Sequence, residues 1–143
     1  MVNSILSDPI KVCLLIAFLH VFADFNLQIG GRLNNFKCKM WWMRLFRDQH
    51  DMPFGAACRK YGMDYLVGLV LHSFAWAFVT FLPLFARSSC SGVEALVIVV
   101  ANAAFHVVVD HLKANLMRIT LVTDQLLHIV QIAVTVAAYW HFS

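Results

Sequence analysis

Four stretches of about twenty mostly apolar residues divide this chain, and that is the length an α-helix needs to cross a bilayer. They run from about 9 to 29, 64 to 85, 93 to 112 and 121 to 140. Over 143 residues the chain is 61% hydrophobic and 13% charged, with a mean hydropathy of +0.72. A soluble core of that size cannot hide so much apolar surface. Three prolines and six glycines are too few for a flexible, low-complexity chain. The expected fold class is therefore all-α: one membrane domain over residues 1–143, built as a four-helix bundle. The first stretch reads as a retained helix and not a signal peptide. It has one lysine before its core, lacks a small-residue cleavage site and carries Asp24 inside it.

Lysine and arginine set the orientation. The loop over 30–63 holds Arg32, Lys37, Lys39, Arg44, Arg47, Arg59 and Lys60; Lys113 and Arg118 mark the loop between the third and fourth stretches. With four spans these loops share one face, which carries nine of the eleven basic residues. The positive-inside rule makes that face cytoplasmic and puts both termini outside. Within the first loop, FKCKMWWMRLFR from Phe36 to Arg47 alternates aromatic and basic residues. It reads as an amphipathic helix on the inner leaflet, with Trp41, Trp42, Leu45 and Phe46 dipping in. An ordinary basic loop is the plainer alternative. No motif supports nucleic-acid binding, and none is expected. Cys13, Cys38, Cys58 and Cys90 show no C-x-x-C spacing, and no disulfide is predicted, although a role for Cys90 in one stays open.

Each apolar stretch also carries polar residues at helical spacing, four apart and so on one face. The sets are His20, Asp24 and Gln28; Asp64, Gly68 and His72; Asn102, His106 and Asp110, with Lys113 a turn on; and Asp124, His128 and Gln131, with Gln125 beside them. At ~1.5 Å rise per residue, the histidines and Asp24 fall about 7–13 Å from the cytoplasmic helix ends, while Asp110 and Asp124 lie within about one turn. The groups converge on one level although neighbouring helices run in opposite directions. The more distant halves, such as VTVAAYW over Val134–Trp140, are nearly pure apolar. Ionisable groups at that depth cost several kcal/mol unless they satisfy one another.

Two readings of the level compete. One is interhelical hydrogen bonding that glues the bundle. The other is a metal centre: His nitrogen and Asp oxygen at i, i+4 let one helix supply two ligands. His20/Asp24, His106/Asp110 and Asp124/His128 form three such pairs, enough for one or two ions. Mixed nitrogen and oxygen donors suit zinc, manganese or iron. His72 is a further ligand or a general base. Gln28, Asn102 and Gln125 orient the ligands. Lys113, at headgroup level, would hold a phosphate. His50, Asp51, His141 and Glu94 lie off this level, His111 faces away from the stripe, and none receives a chemical role.

H-x-x-x-D-F-x-L-Q over His20–Gln28, the lone His72, H-x-x-x-D-x-x-K over His106–Lys113 and D-Q-x-x-H over Asp124–His128 together resemble a family of small bacterial and phage membrane proteins of unknown function. The resemblance covers nearly the whole chain. It implies the inner membrane of bacteria or their phages and no particular activity. Lys37 falls one residue from a lysine that follows the glutamine in such proteins and is not carried over. More distantly, the pattern looks like small membrane proteins labelled metal-dependent hydrolases. LHVFADF and FHVVVDH also suggest a parallel two-helix repeat.

The leading expectation is a metal-dependent hydrolase acting at the cytoplasmic leaflet on a lipid-linked substrate, a phospholipid or polyprenyl phosphate. His72 or an unligated Asp would move the proton and Lys113 would bind the phosphate. Transport of a metal ion or proton is the second. The third is a non-enzymatic phage or prophage module that binds a host protein partner through the basic aromatic loop. No continuous polar path for transport is visible in one chain, and a homodimer could still build one.

Overall fold

Four apolar runs and two basic amphipathic segments form six α-helices among the described residues of a computed structural model, which are 8–26, 37–87 and 89–142. They are α1 (Pro9–Val21), α2 (Lys39–His50), α3 (Phe54–Tyr61), α4 (Asp64–Phe85), α5 (Gly92–Ala114) and α6 (Leu121–Phe142). Among the described residues there is no strand. The expectation for Gln28 lies outside the described residues, as does that for the side chain of Phe46.

Local chemistry sets the helix ends. Asp8 caps α1 by accepting from the amides of Ile10 and Lys11, and Pro9 takes the first helical position, where its missing N–H costs nothing. Ser91 and Glu94 form a reciprocal capping box at the start of α5. A π-helical turn, Phe22–Asn26, continues α1 and carries Asp24 toward the level where the other polar groups gather.

α4, α5 and α6 are long and apolar enough to cross a membrane, by length and composition. Their 22 or 23 residues give about 33–35 Å at ~1.5 Å per residue, against a hydrocarbon core of about 30 Å. These spans match the expected 64–85, 93–112 and 121–140 to within two residues at each end. The first stretch, expected over 9–29, is helical from Pro9 to Asn26. Residues 27–29 of that stretch lie outside the described residues. The interfacial segment expected over 36–47 is helical from Lys39 to His50. It folds back on α3, with Met43 buried and its Sδ 3.1 Å from the Cys58 Sγ.

α4 is the central element, packed between α1 and α5, while α6 lies against α5. The apolar core joins Val12 and Ile16 of α1, Trp76, Ala77, Phe81 and Leu84 of α4, Ala103 of α5 and Tyr139 of α6. The Tyr139 hydroxyl meets Ser89 at 3.0 Å, and the Arg87 guanidinium lies over the Trp140 ring at 4.9 Å. These contacts close the end of the bundle opposite the polar level. Outward faces are apolar as well. Ile10, Leu14, Phe18 and Val21 are exposed along one side of α1, and Leu126, Ile129, Val130 and Val134 along α6. Water would penalise such faces and a lipid surround would not.

Candidate metal centre

The polar stripes converge as their spacing implies. His106, Asp110, Asp124 and His128 are each no more than 1% exposed, and His20, Asp24 and Asn102 are also buried. Trp76, from α4, stacks on the His106 ring with centroids 4.2 Å apart. His106 in turn stacks on His128 at 4.3 Å. This aromatic pile holds imidazoles from α5 and α6 against each other.

Hydrogen-bond donors fix the direction of the network. An indole N–H can only donate. Trp76 Nε1 lies 3.2 Å from His20 Nδ1, so that nitrogen accepts. The His20 proton therefore sits on Nε2, which donates to Gln125 Oε1 at 3.3 Å. The Gln125 amide nitrogen is then turned to Asp24 Oδ2 at 2.7 Å and Asp124 Oδ2 at 3.1 Å. Both nitrogens of His20 are engaged, so its role here is to aim Gln125 rather than to offer a lone pair.

A second chain fixes His128. The Gln131 amide nitrogen donates to the Asn102 carbonyl at 2.8 Å and to Asn102 Oδ1 at 2.9 Å. Asn102 Nδ2 donates to Ile98 and Thr135 donates to Asn102 Oδ1, which leaves that oxygen an acceptor. Gln131 Oε1 must then accept, and it faces His128 Nδ1 at 3.4 Å. In the neutral imidazole the His128 proton then sits on Nδ1, and Nε2 keeps its lone pair. That lone pair faces Asp124 Oδ1 at 3.6 Å, and neither atom has a hydrogen-bond partner among the described residues. Two ligand atoms of one tetrahedral ion, each about 2.0–2.2 Å from it, stand roughly 3.3–3.6 Å apart. The separation is that of a ligand edge.

Asp110 anchors the third cluster. Its Oδ2 accepts from Lys37 at 2.7 Å and lies 3.3 Å from His72 Nε2 and 3.4 Å from His106 Nε2. The two imidazole nitrogens are 3.2 Å apart. Lys37 Nζ also approaches His72 Nε2 at 3.5 Å, so an ammonium, two imidazoles and one carboxylate oxygen share this corner. His106 Nδ1 and Asp110 Oδ1 are buried with no hydrogen-bond partner among the described residues. One ligand-type atom each from His106, Asp110 and His128 lies within 4.8 Å of the others, as does one each from Asp24, His72 and His106. His106 belongs to both groups.

Comparison of the chain with protein-family models, with curated proteins and with solved structures finds no match. What the centre does must be argued from its own geometry.

The remaining expected site residues fall as follows. Lys113 forms an ion pair with Asp124 Oδ2 at 2.6 Å, with its side chain 28% exposed. Asn102 reaches the centre only through Gln131. His111, expected to face away, stacks on Tyr65. Sequence reasoning assigned no role to three residues that shape the site. Gln131 continues the Asp124/His128 stripe and was legible at i+3 from His128. Trp76 lies four residues after His72, on the same face, but an apolar run conceals an indole that acts as a donor. Lys37 gave no usable local signal: a lysine in a basic loop reads as solvated, yet it is 6% exposed.

Proposed function

We propose that the chain is a four-span protein of the bacterial inner membrane whose His/Asp cluster holds a divalent metal ion, and that this centre hydrolyses a lipid-linked phosphate at the cytoplasmic leaflet. The observation that carries the metal reading is the His128 Nε2 lone pair turned on Asp124 Oδ1, both buried and without a hydrogen-bond partner among the described residues. His128 also donates its other N–H to an amide oxygen, the arrangement typical of a metal-bound histidine. Buried lone-pair atoms cost free energy unless a cation or donor meets them. Nitrogen and carboxylate donors suit zinc, manganese or iron.

The four-span reading rests on the outward apolar face of α1 and on the basic residues gathered at the polar end. A bound ion would polarise a phosphoryl oxygen and make water a nucleophile near neutral pH. His72, beside Asp110, is placed to take or return a proton. Lys113 stands at the more exposed edge of the cluster, where a phosphate would approach. An apolar cleft of about 390 Å³ between α1 and α6, walled by Ala17, Ile132, Ala133, Val136 and Ala137, ends at His20. Its lining suits a hydrocarbon chain whose polar head lies at the centre.

Elemental analysis of detergent-purified protein tests the metal. Zinc, manganese or iron bound stoichiometrically and lost from Asp124→Asn and His128→Ala supports the reading, and a screen of phospholipids and polyprenyl phosphates then tests hydrolysis. Folded protein that takes up none of these metals overturns it. One observation favours transport instead: the contacts from His128 through Gln131 and Asn102 to Thr135 carry polar groups to mid-span. Metal uptake into proteoliposomes that depends on Asn102 and Gln131, without hydrolysis, would shift the assignment there.

A further inference from the structure

The centre offers two cation positions, one at Asp124/His128 and one at Asp110/His72, and the second is already filled by a side chain. Lys37 Nζ lies 2.7 Å from Asp110 Oδ2 and 3.5 Å from His72 Nε2, in contact with one carboxylate and one imidazole. Those are the partners a second ion would take, since His72 Nε2 and Asp110 Oδ2 are themselves only 3.3 Å apart. The lysine is 6% exposed, so its ammonium is committed to this place and not to solvent.

Its backbone is fixed by Asn115, the residue that ends α5. Asn115 Nδ2 donates to the Lys37 carbonyl at 3.0 Å, and Asn115 Oδ1 accepts from the Lys39 amide at 2.8 Å. This two-point clamp joins the segment before α2 to the same helix that carries Asp110 and His106. The ammonium is thus aimed from a rigid support, one turn beyond the carboxylate it meets.

We infer that Lys37 is a built-in counter-cation that keeps the centre mononuclear: it occupies the Asp110/His72 position and excludes a second divalent ion. The inference rests on the metal reading above. An ammonium and a divalent ion compete for the same oxygen lone pairs, so removing the lysine opens the position. Because its charge cannot leave the site with solvent, the lysine acts at an effective concentration that free ions do not match.

The test is zinc stoichiometry in the detergent-purified full chain, measured after loading and desalting, for the native protein, Lys37→Gln and Lys37→Arg. One zinc in the native protein, two in Lys37→Gln and one in Lys37→Arg is the expected result. One zinc in all three, or none in Lys37→Gln, overturns the counter-cation role while leaving the metal site standing. Two in the native protein also overturns it. No zinc in any of the three removes the metal reading, and this inference falls with it. Should Lys37→Gln fail to fold, the native protein loaded with manganese still decides. An electron paramagnetic resonance spectrum of isolated ions supports the inference, and that of a spin-coupled pair refutes it.

Discussion

Replacing Gln131 with leucine removes the group that sets the His128 tautomer while leaving every candidate ligand in place. In the native chain the Gln131 amide makes two contacts to Asn102 and accepts from His128 Nδ1 at 3.4 Å. Asn102 Oδ1 keeps Thr135 as a donor after the change, so the one group orphaned is the His128 Nδ1–H. Hydrogen bonds between membrane helices are worth about 0.6 kcal/mol on average and at most about 1.7. The fold should therefore lose about 1 kcal/mol. Metal affinity should fall further, because losing the partner that orients a ligating histidine typically costs about 10–100-fold. That factor corresponds to about 1.4–2.8 kcal/mol. The assay is zinc titration against a competing chelator in detergent, beside His128→Ala as the ligand deletion. If Gln131→Leu binds zinc within about twofold of the native protein while His128→Ala abolishes binding, the tautomer argument is wrong. The Asn102–Gln131 contacts would then be helix glue and nothing more.

Three further outcomes follow from the same contacts. Nitrogen NMR of histidine-labelled, metal-free protein should show opposite tautomers, with the proton on Nε2 in His20 and on Nδ1 in His128; matching tautomers would break the chain of donors. Trp76→Phe keeps a stacking ring on His106 but removes the only donor to His20 Nδ1 among the described residues. Thermal melting in detergent should show a loss of about 1–3 kcal/mol, and the His20 tautomer should become mixed. At the joint between α3 and α4, a Cβ on Gly62 would collide with the Cys58 carbonyl oxygen. Gly62→Ala should cost about 1–3 kcal/mol in the same melt, whereas Gly55→Ala, which meets only the tip of Arg59, should change little.

Helix length and level were legible because they depend on quantities local in sequence. Apolar runs bounded by polar joints give α4, α5 and α6 to within a couple of residues. The four-residue spacing of His and Asp, measured from helix ends of known direction, brings His72, His106, Asp110, Asp124 and His128 together before any packing is known. The π-helical turn at Phe22–Asn26 was not legible, since nothing in FADFN distinguishes it from an ordinary helical turn. It alters the strict i, i+4 relation of His20 to Asp24, yet both side chains still reach the one amide of Gln125.

What spacing cannot supply is the direction of each hydrogen bond, and in this site direction separates ligand from support. His20 and His128 have the same pattern in sequence, each four residues from an aspartate. Trp76 commits one and Gln131 frees the other, and both partners are chosen by packing between helices. A candidate ligand list read from spacing alone therefore treats the two histidines alike, while the donors assign His20 to positioning and leave His128 Nε2 open. The same reasoning applies to charge. Lys37 and Lys113 each contact a buried aspartate, but Lys113 lies on the stripe already marked by His106 and Asp110, whereas Lys37 reaches Asp110 from a segment whose backbone Asn115 clamps. Burial of a loop lysine is a tertiary outcome, decided by a side chain 78 residues away. In a bundle whose interior must satisfy every polar atom itself, such long-range partners decide which lone pairs remain open for an ion.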